Sequence, residues 1–187
     1  MKRLAVLFVA VCMCLLSGCS HQDFVDEGLS LRDKILLAEG CRFRSVITAD
    51  YTDRLYTFEM LCEFDKSGNM HFTVTQPELI SGIAGKVDAI GGKLTFDDQI
   101  LAFELLADGQ LTPVSAPWIF MKSLRSGYIH SAAQNDGALQ LCINDSYETD
   151  ALEVDVRLNS EGQPVSAEIL WKNRRILSLS ISEFCIL

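Results

Sequence analysis

Basic residues are scarce in this sequence: 16 Lys and Arg stand against 25 Asp and Glu, which gives a formal net charge of −9. Because contact with phosphates requires clustered Lys and Arg, this balance excludes nucleic acid as an expected partner. The same charge repels an anionic membrane surface. Any attachment to a membrane is therefore expected to come from a lipid and not from a basic patch.

Motifs for metal binding or nucleophilic catalysis are also missing. The sequence has no Cys-x-x-Cys pair and no His spacing typical of a metal site. His71 and His130 fall at outward positions of predicted strands, His21 falls in a polar segment, and none has a Ser or Cys partner in a nucleophile context. Asp65–Asn69 resembles the start of a calcium loop but lacks the later ligands, so it predicts a turn. We expect no metal, no cofactor and no enzymatic activity.

A run long enough to span a bilayer is lacking too. The apolar run Leu4–Leu16 has 13 residues, whereas a spanning helix needs about 20. Lys2 and Arg3 precede it and small residues follow, which predicts a cleaved secretory signal over residues 1–18. The sequence Leu16-Ser17-Gly18-Cys19 resembles the lipobox of bacterial lipoproteins. That resemblance implies that Cys19 is acylated, for example with palmitate, and becomes the first residue. The alternative is an ordinary signal peptide that happens to end at a Cys.

Removal of the signal leaves 169 residues and, without Lys2 and Arg3, a net charge of −11. This length usually makes one domain with a substantial core. The polar residues 20–29 predict a tether that follows Cys19, so the tethered segment is 19–29 and the domain is 30–187. Ser30 and Asp33 form a start resembling a capping box, and Gly40 ends a short amphipathic helix.

A period of two follows this helix. Apolar and mixed residues alternate through Leu55–Phe64 and again through Met70–Val74, with a turn between them. Short strands are predicted at Gly85–Ile90, Lys93–Phe96 and Ile100–Leu105, and the last third of the chain predicts a further meander. The strands of that last third are Tyr128–Ala133, Ala138–Asn144, Ala151–Leu158, Ser166–Lys172 and Ile176–Phe184.

One further helix interrupts the strands. Ser115 and Pro117 predict its start and Gly127 its end. Its apolar residues lie on nearly every side, which suits a helix pressed against a sheet. Because no strand–helix–strand alternation occurs, the predicted fold class is α+β, mainly antiparallel β, with a curved, open, barrel-like sheet covered by two or three short helices.

The mature sequence keeps four cysteines, which can pair in three ways. If Asp50–Asp53 is a tight turn, residues whose numbers sum to 103 face each other, and Cys41 and Cys62 fulfil this condition. A direct cross-strand pair brings the two Cβ atoms within about 4.5–5.5 Å, which predicts a disulfide. The alternative is two buried free thiols. Cys142 and Cys185 are expected to be free.

Two short helices provide little surface to cover so large an apolar sheet face. We therefore expect part of that face to remain uncovered. Aromatic and Met side chains would then line a cavity between sheet and helices for a flexible ligand. The alternative is that these side chains fill a dry core. The candidate cavity residues are Phe58, Met60, Phe64, Phe72, Trp118, Phe120 and Met121.

The order of lipobox, helix, long meander, second helix and further meander resembles the LolA/LolB-like lipoprotein carriers and their RseB-like relatives. Residues 106–118 also resemble uncharacterised lipoproteins of Gram-positive bacteria. The first resemblance covers residues 30–187 and implies an open β-barrel over a helical lid, with acyl chains bound in the cavity.

The predicted function is therefore a lipoprotein anchored to the outer face of a membrane, or to the periplasmic side where the source has two membranes. It is expected to bind a lipid or other hydrophobic ligand. The alternative is a protein-interaction or sensor module of the cell envelope, with a filled core and an envelope protein as its partner.

Overall fold

A computed structural model describes residues 20–50, 55–96, 99–103, 106–107 and 110–187. Two α-helices and thirteen strands lie in these ranges, together with two short 3₁₀ helices at Glu78–Ile80 and Pro113–Ser115. The helices are α1 (Ser20–Leu37) and α2 (Ala116–Ser126). The strands are β1 (Gly40–Asp50), β2 (Leu55–Asp65), β3 (Met70–Gln76), β4 (Ala84–Val87), β5 (Gly92–Phe96), β6 (Gln99–Phe103), β7 (Leu106–Ala107), β8 (Gln110–Leu111), β9 (Tyr128–Asn135), β10 (Ala138–Asn144), β11 (Glu153–Leu158), β12 (Pro164–Trp171) and β13 (Arg174–Ile186).

Eleven of the strands form one antiparallel sheet, in the order β6-β5-β4-β3-β2-β1-β13-β12-β11-β10-β9. Every neighbour is a hairpin partner except β1 and β13, which join the two halves of the chain. The sheet does not close, since β6 and β9 each have a single partner in it. The predicted fold class, an α+β fold with an open antiparallel sheet and helical cover, is confirmed.

The sheet has one apolar face, which we call the inner face. Alternate residues of the central strands point to it and are buried, among them Phe43, Ile47, Met60 and Leu179. Buried residues of both helices belong to the same core cluster. The core therefore lies between the inner face and the two helices.

Helix α1 begins at Ser20, ten residues before the predicted start, and includes the segment 20–29 that was predicted to be a tether. Phe24 and Val25 are half-buried against the core. At Gly28 the helix packs so closely on the sheet that a Cβ atom would lie 2.9 Å from Leu141 Cδ2. The predicted helix start at Ser30 was wrong, because the contacts of Phe24, Val25 and Gly28 with the core lie far apart in sequence and leave no local start signal.

Helix α2 lies where it was predicted, and eight of its eleven residues are buried. The predicted Ser115 cap is not formed. The Ser115 hydroxyl donates to the Thr112 carbonyl at 2.6 Å and makes no capping bond to α2. The five predicted strands of the last third are confirmed, with bounds within two residues.

The predicted disulfide between Cys41 and Cys62 is wrong. Asp50 pairs with Leu55, so the numbers of facing residues sum to 105. Residues 51–53 of the predicted turn Asp50–Asp53 lie outside the described residues. Cys41 therefore faces Phe64, whereas Cys62 faces Phe43. Both thiols are free and buried. The thiols of Cys142, which is half-buried, and of Cys185, which is exposed, are also free. The error is a shift of two residues in the register of β1 with β2.

Candidate functional site

The seven residues predicted to line a cavity lie together in the core, and each is at most 9% exposed. They come from β2, β3 and α2, so the structure does bring the sheet and the second helix together at this place. The residues are Phe58, Met60, Phe64, Phe72, Trp118, Phe120 and Met121. Ligand contact by these side chains stays a prediction.

Aromatic rings fill the space beneath α2. Phe43 is the central ring: its centroid lies 5.8 Å from that of Phe64, 5.7 Å from that of Phe120 and 5.7 Å from that of Phe184. The Phe120 contact is edge-to-face and the other two are stacked, which are the favoured geometries of aromatic pairs. All four rings are buried. Their contacts with one another therefore fill this part of the core.

Polar contacts hold α2 in place from two sides. The indole nitrogen of Trp118 donates to the Gly68 carbonyl at 3.1 Å. From α1, the Arg32 guanidinium donates to the carbonyls of Leu124 at 2.6 Å and Gly127 at 2.7 Å. These carbonyls belong to the C-terminal end of α2, where helical partners are missing. The two helices are thus fixed to each other over the filled part of the inner face.

The inner face extends beyond this cover towards β6. One row of directly paired residues crosses it from the centre to the edge: Phe43, Cys62, Phe72, Gly85, Leu94 and Leu101. Phe43 and Cys62 are fully buried, Leu94 is half-buried, and Leu101 is 64% exposed. We call strands β4–β6, whose inner side becomes exposed along this row, the wing.

The wing joins the core at Gly85. A Cβ atom at this position would lie 2.7 Å from Cζ of Phe72 and would collide with the Lys93 carbonyl. The absence of a side chain lets the Phe72 ring pack on β4, where Val87 is still fully buried. Sequence reasoning missed Gly85, Leu94 and Leu101 as site residues. Their strands were predicted, but the extent of the helical cover has no local signal.

The outer face carries the polar groups. A pocket of about 270 Å³ opens there on β2–β4, lined by Leu61, Glu63, His71, Phe72, Thr73, Ala84 and Gly85. Beside it, Arg44 contacts Glu59 at 2.7 Å and Thr75 donates to the same carboxylate at 2.6 Å. The Thr75 hydroxyl, followed by Arg44, lowers the pKa of Glu59 below its ordinary value.

The His residues predicted to be on the surface, His71 and His130, are both exposed. His130 lies 3.6 Å from the Glu153 carboxylate. Across the described ranges, no group of three or more His, Cys, Asp or Glu side chains could hold a metal ion. No helix of the described part of the chain is long and apolar enough to cross a membrane. Cys19, the predicted lipidation site, lies outside the described residues.

No family model and no curated protein matches this chain. Solved structures with a similar fold include a LolA superfamily protein from Nitrosomonas europaea, at 12% identity over 86% of this chain and 93% of that one, with a TM-score of 0.39. The lipoprotein LppX from Mycobacterium tuberculosis is similar at 12% identity over 87% and 93% of the two chains, with a TM-score of 0.41. LprF from Mycobacterium bovis is similar at 8% identity over 87% and 93%, with a TM-score of 0.43.

Proposed function

We propose that the protein is an exported lipoprotein, anchored to a membrane through a lipid on Cys19, that binds a lipid or other hydrophobic ligand without catalysing a reaction. The observation that carries the proposal is the rise in exposure along the inner-face row, which ends at Leu101 with 64% exposed. An exposed apolar surface continuous with a core is typical of a binding site.

The wing offers a ligand an apolar surface. None of its described inward positions, Gly85, Val87, Gly92, Leu94 and Leu101, is charged. Val87 and Gly92 are buried, so the accessible part consists of Gly85, Leu94 and Leu101. Burial of one methylene group contributes about 0.8 kcal/mol, so an acyl chain of several methylenes laid along this surface gains several kcal/mol. The ligand class supported by this lining is therefore aliphatic.

The seven residues of the predicted cavity form the wall behind this surface. Phe72 is the member that borders the wing, since its ring packs over Gly85. A ligand on Leu94 and Leu101 would reach the Phe72 ring first. Deeper entry, towards Met60 or Phe120, requires displacement of fully buried side chains.

The test is binding of a fluorescent fatty acid to the delipidated chain, together with mass spectrometry of lipid that purifies with it. Leu94→Glu and Leu101→Glu are each expected to weaken probe binding about tenfold or more, because burial of a Leu side chain is worth about 1.5–3 kcal/mol. Leu37→Glu is the matched control. Leu37 is exposed at the end of α1, so its substitution should leave binding unchanged.

The second candidate function is a protein-interaction or sensor module with a filled core. The observation in its favour is the burial of all seven predicted cavity residues. Pull-down from native membranes separates the two functions, because only this one requires a stoichiometric protein partner. Absence of probe binding and of co-purified lipid, combined with such a partner, would replace the first proposal with the second.

A further inference from the structure

The tip of the β12–β13 hairpin concentrates positive charge in an acidic protein. Its sequence, Trp171-Lys172-Asn173-Arg174-Arg175, holds three cations in five residues, and all five residues are exposed. Lys172 and Asn173 have φ angles of 51° and 62°, so they form a tight two-residue turn of the kind that suits twisted hairpins. We call residues 171–175 the basic tip.

The basic tip combines its cations with an exposed indole. Trp171 is 39% exposed, and the Lys172 ammonium lies 4.4 Å from its ring centroid. Arg175 forms an ion pair with Glu168, with 2.8 Å between Arg175 Nη1 and Glu168 Oε1. An indole beside Lys and Arg is typical of protein surfaces at a membrane interface, where the ring enters the headgroup layer and the cations meet lipid phosphates.

Exposed apolar residues lie at the same end of the sheet. Strands β12, β13, β1 and β2 are consecutive neighbours. Since Ala49 pairs with Leu177 and Asp50 with Leu55, the start of β2 is at the same end as the basic tip. There Leu55 is 67% exposed. A soluble anion would contact only the cations of the basic tip. An anionic bilayer would also contact the Trp171 indole and the Leu55 side chain.

We propose that the basic tip docks on the surface of an anionic bilayer, with Trp171 in the headgroup layer. The net charge of −9 does not oppose this contact, because charges further from the bilayer than the Debye length of about 8–10 Å are largely screened. This end also carries the carboxylates of Asp50, Glu153 and Glu168. The favourable charge is therefore confined to the hairpin turn itself, where Lys172, Arg174 and Arg175 lie within four residues. The proposal departs from the expectation, drawn from composition, that membrane attachment comes from a lipid and not from a basic patch.

The test is co-sedimentation of the chain from residue 19, carrying Cys19→Ser, with vesicles. One set is pure phosphatidylcholine and the other contains about one third phosphatidylglycerol. Binding is expected to the anionic vesicles alone and to weaken as salt rises from about 0.05 to 0.5 M. Lys172→Glu with Arg174→Glu should lower the partition at least about 25-fold, from roughly fivefold per cation.

The matched control is Lys86→Glu with Lys93→Glu. These two residues are exposed cross-strand partners on the wing, and their reversal changes the net charge by the same amount. The control should retain most of the binding. Tryptophan fluorescence gives a second readout: Trp118 is buried, so a blue shift on vesicle addition reports Trp171 and should vanish in Trp171→Phe.

Three outcomes would overturn the proposal: no binding to anionic vesicles, an equal loss in the control, or displacement by soluble polyphosphate without a fluorescence shift. Thermal unfolding of each variant excludes misfolding as the cause. The proposal is independent of the ligand site, because six strands separate β12 from the edge strand β6. The Lys172→Glu variant is therefore expected to bind the fatty acid as the parent chain does. If the parent chain binds the fatty acid but not the vesicles, only the docking proposal has failed; if it binds the vesicles but not the fatty acid, only the proposed function has failed.

Discussion

At the scale of single residues, the thiols show how burial controls chemistry. Burial raises the pKa of Cys41 to about 11 and that of Cys142 to about 11. It also raises the pKa of Cys62, which is fully buried. Because the thiolate is the reactive form, these cysteines are protonated and inert near neutral pH. Cys185, by contrast, is exposed.

We expect Cys185 to react readily with Ellman's reagent in the folded protein, and Cys41 and Cys62 to react only after unfolding. A reductant should leave the urea midpoint unchanged. Reaction of Cys62 at the rate of Cys185, or a midpoint lowered by reductant, would contradict the free-thiol assignment.

The same shifts predict a dependence of stability on pH. A thiol whose pKa is raised on folding stabilises the fold fully below its unfolded pKa, and this contribution is lost as pH rises through the folded pKa. For Cys41 and Cys142 the decline should therefore run from about pH 9 to about pH 11. Urea midpoints measured across this range should fall less in Cys41→Ala than in the parent chain.

At the scale of elements, the position of the two helices depends on Arg32. Its guanidinium extends from α1 and donates hydrogen bonds to the Leu124 and Gly127 carbonyls at the C-terminal end of α2. A cation at a helix C-terminus is also favoured by the helix dipole, which contributes about 0.3–1 kcal/mol. One side chain therefore satisfies the unpaired carbonyls of α2 and ties it to α1.

Arg32→Met should lower the free energy of unfolding by about 2–3 kcal/mol, because hydrogen bonds to a charged donor contribute about 1.5–3 kcal/mol. Arg32→Lys should recover part of this loss, since a Lys ammonium can reach one carbonyl but lacks the planar fork. Lys34→Met, at an exposed position of the same helix, is the control and should change stability by less than about 0.5 kcal/mol. Urea denaturation measures all three, and a neutral Arg32→Met would show that α2 is held without this contact.

At the scale of the whole molecule, α1 determines how close the domain would lie to a membrane. The helix begins at Ser20, directly after Cys19, and Phe24 is already packed on the core. Four helical residues span only about 6 Å at 1.5 Å per residue. If Cys19 carries a lipid as proposed, the domain would lie close to the bilayer.

Cys19→Ala should abolish incorporation of an alkyne fatty acid in growing cells and release the chain from the membrane fraction. Cys185→Ala, which changes the exposed cysteine at the other end of the chain, should retain both the label and the membrane association. Persistence of the label in Cys19→Ala would show that the lipid is attached elsewhere and remove the basis for the anchor.

The sequence by itself determined which segments form strands and where α2 lies. Alternation through Met60, Cys62 and Phe64 depends on a local period, and Pro117 and Gly127 bound their helix through local backbone preferences. Ala138–Asn144 was predicted to the residue for the same reason. These features depend on neighbours in the chain, so they are readable from it.

Only the tertiary structure decided the start of α1, the register of β1 with β2, and the exposure of Leu101. Gly28 of α1 lies against Leu141, more than a hundred residues away, and no local signal reports this contact. The register of β1 with β2 differs by two residues from the predicted one, and this difference places Cys41 and Cys62 opposite other residues. Leu94 and Leu101 have the same apolar pattern as the buried strands, because a side chain's exposure depends on what packs over it from elsewhere in the chain.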